Sequence, residues 1–197
     1  MIDEIIHTAL EDGTKVCLRS IRPTDELRMR QGIEQLSNES RYLRFFSPQR
    51  MPSKAVIERL IDADGHRHIA WGAIHSDSRD QPAIGAVHAV RDEDDSESAE
   101  FSVAIVDAFH GLGLARMLIA VLLVNCRLEH IETLNVQILS ENRAARRLVT
   151  WLGAERCQAE YSVTEYLLDV DGALAKLRSE ESMPGLKDVF AVLAKYL

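Results

Sequence analysis

The polar and apolar positions of this chain change period several times, and each change marks an element. Residues 15–22 read as a strand; Pro23 and Thr24 then end it and open a helix that runs to about Leu36, with Thr24 as its N-cap. A second helical stretch follows Ser37. Residues 67–75 and 83–91 are apolar runs separated by the turn-rich segment SDSRDQP, which predicts an antiparallel hairpin. Beyond the acidic turn at 92–98, residues 99–106 alternate: Ala99, Phe101, Val103 and Ile105 share one face, and Glu100, Ser102, Ala104 and Val106 the other.

From Leu114 to about His130 the chain is apolar almost all round, with Leu114, Met117, Leu118, Val121, Leu122 and Leu123, the signature of a helix buried against a sheet. Residues 134–139 predict a strand, Asn142 to Leu152 a helix stopped by Gly153, and residues 154–170 the closing strands. From Asp169 the chain reads as loosened before a final helix striped with Leu186, Val189, Phe190, Leu193 and Leu197. That stripe can dock on its own domain or on a twin subunit, which would make a homodimer. The alternation of helices and strands predicts an α/β fold. With 197 residues, one domain at 1–170 and a C-terminal helical extension at 171–197 account for the whole sequence.

Composition narrows the function classes. A formal net charge of −8 argues against nonspecific nucleic-acid binding, which depends on neutralising phosphates, and leaves room for a cationic substrate. No segment has the length and apolarity of a membrane span. Asp3 and Glu4 stand where a secretory signal would be basic, so the expected location is the cytoplasm. The 3 cysteines, Cys17, Cys126 and Cys157, lack zinc or disulfide spacing and are expected to be inert core residues. His66 and His68 lack an evident third ligand and read as a surface pair, so no metal is expected.

The candidate chemistry lies at residues 105–116 (IVDAFHGLGLAR), between a strand and a helix. Closely spaced glycines there let backbone N–H groups converge on an anion, and the helix dipole favours its negative charge. A diphosphate fits. A tight turn that uses glycine for close packing would give the same pattern, whereas a dinucleotide-binding loop would need a third glycine in GxGxxG spacing and a parallel βαβ context.

These residues resemble the signature of GNAT N-acyltransferases: Gln or Arg, two variable residues, Gly, one variable residue, then Gly or Ala. His110 takes the first position, and Gly113 and Ala115 the small ones. The family also carries an Asn, Ala, Leu series with a Gly beyond it, matched by Asn142, Ala145, Leu148 and Gly153. Upstream, Arg22, Pro23 and Asp25, followed by Leu36, Ser37, Glu39, Ser40, Tyr42, Arg44 and Phe45, are similar to the entry of Pat-type bacterial protein lysine acetyltransferases. The resemblance spans about residues 15–170.

It implies the GNAT fold, a mixed central sheet splayed between two strands with helices on both faces. It also implies acetyl-CoA as cosubstrate and direct transfer of an acetyl group to an amine, preferably a protein lysine. A small amine or a protein N-terminus is the next acceptor, and a non-catalytic acyl-CoA-binding module the different-class alternative. Ala99-Glu100-Phe101-Ser102 matches the Pat-type context of a catalytic glutamate, which makes Glu100 the expected general base. Backbone groups at Val103 and Ile105 would polarise the carbonyl. Those of His110, Gly111, Leu112, Gly113, Leu114 and Ala115 would grip the diphosphate, with Arg116 and Asn142 beside them. Arg143, Arg146 and Arg147 could reach the nucleotide or form a solvated face. Many relatives place a tyrosine proton donor where this chain has Val149; Tyr161 and Tyr166 are the remaining aromatic candidates.

Overall fold

The computed structural model describes residues 2–47, 49–180 and 182–197. Strand β1 (Ile6–Ala9) pairs antiparallel with β2 (Lys15–Ser20), and a tight helical turn at Pro23–Asp25 leads into α1 (Glu26–Gln35), α2 (Asn38–Phe45) and α3 (Lys54–Ile61). The hairpin β3 (His68–His75) and β4 (Ala83–Arg91) continues to β5 (Ser98–Ile105), and α4 (Leu114–Leu128) crosses over to β6 (Thr133–Leu139). Helix α5 (Arg143–Trp151), the hairpin β7 (Glu155–Glu160) and β8 (Val163–Asp169), α6 (Val170–Arg178) and α7 (Pro184–Leu193) complete the order.

The strands form one mixed sheet, β1-β2-β3-β4-β5-β6-β8-β7, in which, among the described residues, only the β5–β6 pairing is parallel. That pairing is short. Ser98, Ala99 and Glu100 face Thr133, Leu134 and Asn135, and then the two strands diverge although β5 runs to Ile105 and β6 to Leu139. The expected splay is therefore present, and it opens just past Glu100.

The two faces of the sheet are packed unequally. Helix α4 carries a nearly unbroken apolar surface because the sheet lies on one side and α6 and α7 on the other; Met117 through Cys126 are all buried. Trp71, Val87, Phe101 and Leu134 meet it in the main core. Helices α1 and α3 cover the opposite face, where a second, much smaller apolar cluster joins Ile21, Ile61 and Ala70.

Several sequence expectations are corrected. Thr24 does not cap α1. The Asp25 carboxylate turns back to accept from the Arg22 N–H at 2.9 Å and the Arg19 guanidinium at 2.6 and 2.7 Å, so a tight turn precedes the helix and Asp25 is its N-cap. The stretch after Asp169 is not loosened but forms α6: Asp169 Oδ1 accepts from the Gly172 N–H at 2.6 Å, and Val170, Ala173, Leu174 and Leu177 are buried. Glu181, also within that stretch, lies outside the described residues. The stripe of α7 docks on its own chain, with Leu186, Val189 and Leu193 packed into the main core. Strand β1 and helix α3 had no counterpart in the sequence reading.

Two chemical expectations change as well. Cys126 is buried as expected, but Cys157 is exposed on β7 and Cys17 half-buried. His66 and His68 are not a surface pair. His66 is exposed against Glu129 at 2.8 Å, whereas His68 turns inward to the buried His88 at 3.0 Å.

Candidate active site

Where β5 and β6 part, a cleft of about 370 Å³ opens, walled by both strands, by Leu36, Arg44 and Phe45 around α2, and by Asn142, Ala145 and Leu148 of the α5 segment. The orientation of the β5 backbone follows from its register with β4. Asp92 N–H donates to Ser98 O at 2.9 Å and Val106 N–H to Ile84 O at 2.9 Å, so the even-numbered residues of β5 spend their backbone groups on β4. Those of Val103 and Ile105 point the other way, into the gap β6 has left. The cleft is thus lined by main-chain dipoles at the depth of the missing ladder.

At its mouth the chain makes a tight turn at Asp107–Phe109 and enters α4 through the glycines. Gly111 and Gly113 have φ of 76° and 86°, a left-handed conformation that a Cβ would strain. Among the described residues no side chain caps α4, whose N-cap is Gly113, so none of them takes its first-turn N–H groups, which lie at the positive end of the helix dipole. Nothing lies within 4 Å of where a Gly111 Cβ would stand. Open space, unspent amides and a helix N-terminus can hold a diphosphate without side-chain charge.

The side chains of the expected cofactor residues mostly have structural partners. His110 Nε2–H donates to Ile105 O at 2.8 Å, tying the loop to the end of β5. Leu112, Leu114 and Ala115 pack against the main core and can contribute only main-chain groups. The Arg116 guanidinium lies 4.5 Å from the centre of the Trp151 ring and 3.4 Å from the Met183 sulfur. Asn142 Oδ1 caps α5 by accepting from the Ala145 N–H at 3.0 Å. Arg146 donates to Tyr166 Oη at 3.3 Å and Ser140 O at 3.1 Å, while Arg143 and Arg147 are exposed.

Glu100 is exposed at the fork itself and borders two hollows: the cleft, and a groove of about 610 Å³ over the open face of β6 and β8 that also carries Asp92, Glu93 and Glu165. Val149 is buried and offers no proton. Tyr161 projects fully exposed from the β7–β8 turn, and Tyr166 lines the outer groove; neither borders the cleft. Among the described residues, no three His, Cys, Asp or Glu side chains are grouped to hold a metal ion. No helix there is long and apolar enough to cross a membrane.

Asp107 escaped the sequence reading, and Arg44 entered it only as part of a resemblance, without a role at the cleft. Arg44 reaches from α2 to donate to Ser102 Oγ at 2.7 Å. Burial pulls its guanidinium pKa down to about 10, a shift that the charge of Glu100 partly opposes. Asp107, just after β5, accepts from the Ser37 N–H at 2.9 Å, the Ser37 hydroxyl at 2.7 Å and the Ser40 hydroxyl at 2.8 Å. The polar residues of the segment from Leu36 to Phe45 therefore clasp α2 onto the strand and loop that form the cleft. Their regular spacing was visible, but their partner lies 70 residues away.

A mixed sheet splayed beside a glycine loop that enters an uncapped helix defines the N-acyltransferase class. The family model described as an acetyltransferase (GNAT) domain matches residues 15–155, and the chain belongs to that family, whose members use acetyl-CoA as cosubstrate. It is 28% identical over 165 residues to acetyltransferase Pat of Mycolicibacterium smegmatis; the match covers 84% of this chain and 49% of that protein, so the chain spans about half its length. It is 32% identical over 147 residues to acetyltransferase PA5475 of Pseudomonas aeruginosa, covering 74% of this chain and 77% of that one. The crystal structure of the GNAT domain of S. lividans PAT superposes with a TM-score of 0.76 at 23% identity, covering 84% of this chain and 96% of the other.

Proposed function

We propose that this chain transfers an acetyl group from acetyl-CoA to the side-chain amine of a protein lysine, with Glu100 as general base. The observation that carries the reading is the position of Glu100: a carboxylate at the fork of β5 and β6, one residue pair before the main-chain groups of Val103 face the open cleft. A lysine amine has a solution pKa near 10.4, so presenting it neutral at pH 7 costs roughly 4 to 5 kcal/mol unless a base takes the proton. Glu100 can accept that proton directly or through a water. The N–H groups of Val103 and Ile105 are aimed to polarise the carbonyl as its oxygen gains charge.

Main-chain groups from His110 to Ala115 hold the diphosphate in this scheme, and Asn142 acts by fixing the start of α5 at the cleft wall. Protein lysine as the acceptor is supported by the similarity to acetyltransferase Pat and by the acidic groove next to Glu100, which suits a cationic partner. A small amine or a protein N-terminus would meet the same base. Because Val149 supplies no acid, CoA leaves as its thiolate, a modest demand given the ordinary thiol pKa near 8.5.

The test is Glu100→Gln. Turnover of acetyl-CoA with lysine-containing acceptor proteins should fall about 100-fold to 10,000-fold, the usual contribution of a general base, while calorimetric acetyl-CoA affinity stays within about twofold. Unchanged turnover would remove Glu100 from the chemistry. Tight CoA binding by the wild-type chain without turnover on protein, peptide or polyamine acceptors would make it a binding module instead.

A further inference from the structure

The face of the sheet beneath α1 and α2 is floored by small side chains. Gly72 stands opposite Ala86, and Ala86 opposite Ala104, so three adjacent strands present almost nothing above their backbones. Met29, Ile33 and Leu36 close over this floor without filling it, leaving a cavity of about 70 Å³. The cavity shares Leu36, Arg44, Phe45 and Ala104 with the cleft that contains Glu100. It is a side chamber of that cleft.

The charged and polar members of its wall already have partners, within the wall or just behind it. Arg19 and Arg28 pair with Asp25 at 2.6 and 3.5 Å, Arg44 donates to Ser102, and His88 is bonded to His68. What remains facing the lumen is aliphatic. A water needs two or more polar partners to reside in such a space, whereas a short hydrocarbon needs none. Ala104 is the β5 residue at the neck, which Leu36, Arg44 and Phe45 complete; its neighbours Val103 and Ile105 turn their main-chain groups to the cleft, so a chain entering past its methyl starts beside the carbonyl position proposed above.

We propose that this chamber receives the tail of the acyl group, and that the chain accepts straight aliphatic acyl groups longer than acetyl, propionyl and butyryl in particular. The inference rests on the acyl-transfer reading and specifies its donor. The reaction is otherwise the same: the C–N bond forms as the thioester C–S bond breaks, the amine proton passes to Glu100, and CoA departs as thiolate. Two added methylenes entering an apolar pocket should give at least about a tenfold preference over acetyl.

The experiment is calorimetric titration of the full chain with acetyl-CoA, propionyl-CoA and butyryl-CoA, which needs no acceptor. Wild type should bind butyryl-CoA at least about tenfold more tightly than acetyl-CoA, with propionyl-CoA between them. Ala86→Val adds volume to the chamber away from its neck and should cut the preference to below about threefold, leaving acetyl-CoA within about twofold. Gly72→Ala is a second, gentler filler, since its methyl would meet Ile21 Cγ1 at an ordinary 3.4 Å. Equal binding of the three thioesters by wild type, or a preference that survives both fillings, overturns the chamber and leaves the acyl-transfer reading standing. Failure of every acyl-CoA to bind overturns both. A chain-length preference together with unchanged turnover in Glu100→Gln would instead spare the chamber and reject the base.

Discussion

The Arg44 guanidinium donates to the Ser102 hydroxyl at 2.7 Å and so joins α2 to the strand that carries Glu100. Arg44 is half-buried, so a cation that gives up this bond regains only part of its hydration, which makes the pair interdependent. A double-mutant cycle of Arg44→Met and Ser102→Ala, followed by urea unfolding, should show a coupling of about 1 to 3 kcal/mol. Additive single effects would mean that the contact contributes little.

Asp107 performs the matching service at the other end of α2. Asp107→Ala strips three hydrogen bonds from Ser37 and Ser40 and should lower stability by about 1 to 2 kcal/mol, read as a lower urea midpoint.

The same carboxylate gives a pH dependence. Burial raises its pKa, but the hydrogen bonds from the Ser37 N–H and the two serine hydroxyls outweigh this and hold it below the ordinary value. A depressed folded-state pKa means that the unfolded chain takes up the proton first. The contribution of Asp107 is therefore complete above the unfolded-state range near pH 4 and lost as pH falls toward the folded-state value. Wild type and Asp107→Ala should converge in stability below about pH 4, and a gap that stays constant down to pH 2 would refute the assignment.

In the loop proposed to hold the diphosphate, Gly111 is the cleaner probe of the glycine requirement. Gly111→Ala meets open space and acts only through its φ of 76°, a strain of about 1 to 2 kcal/mol borne by the loop. The empty loop can relieve that strain by shifting, which spares the melting temperature, but the diphosphate needs the original conformation, so acetyl-CoA binding should weaken about tenfold. Gly113→Ala, at φ of 86°, also forces the flexible end of the buried Met183 side chain to shift, and it should lower both the binding and the melting temperature. His110→Ala removes only the tie to Ile105 O and should weaken binding by less than either. The reverse ranking by calorimetry would show that a side chain, and not the main chain, provides the grip.

The cysteines should separate by reactivity. Cys157 is exposed and should react with a thiol reagent in the folded protein, Cys17 more slowly, and Cys126 only on unfolding, since burial pushes its pKa up to about 12. Stoichiometric labelling of Cys126 under native conditions would contradict the burial of α4.

How much of this was readable beforehand depended on whether a residue's role was local. The alternation at 99–106, the apolar run from Leu114 and the helix expected from Asn142 to Leu152 each act within one element, and each fell where its pattern placed it. The hairpin of β3 and β4 was equally plain. What was missed depended on distant partners or on weak amplitude. Strand β1 is four residues long, and Thr8 owes its burial to α7, 177 residues on. Thr24 had the composition of a cap but lost the position to Asp25, which Arg19 holds from the preceding strand. Helix α6 was legible in principle, since Asp169 and Gly172 make a capping pair ahead of apolar residues at helical spacing; its charged surface obscured that period. In the site, Glu100 and the glycines were visible in local context. Arg44 and Asp107 were not, because a partner 58 or 70 residues away leaves no periodic mark.

The meeting of β1 with α7 also bears on how the molecule assembles. Thr8 donates to Asp188 and Gly185, Tyr196 to Glu4, and Lys195 pairs with Glu4, so the opening and closing segments are fastened to each other across separations of up to 192 residues. Contacts of such long range close the whole intervening chain into one loop, at an entropic cost that grows only slowly with its length. Met183, between α6 and α7, rests against Gly113 and Arg116. The loop proposed to hold the diphosphate is thus supported by the segment that leads into α7, and amide exchange in residues 111–116 should rise and fall with exchange in α7.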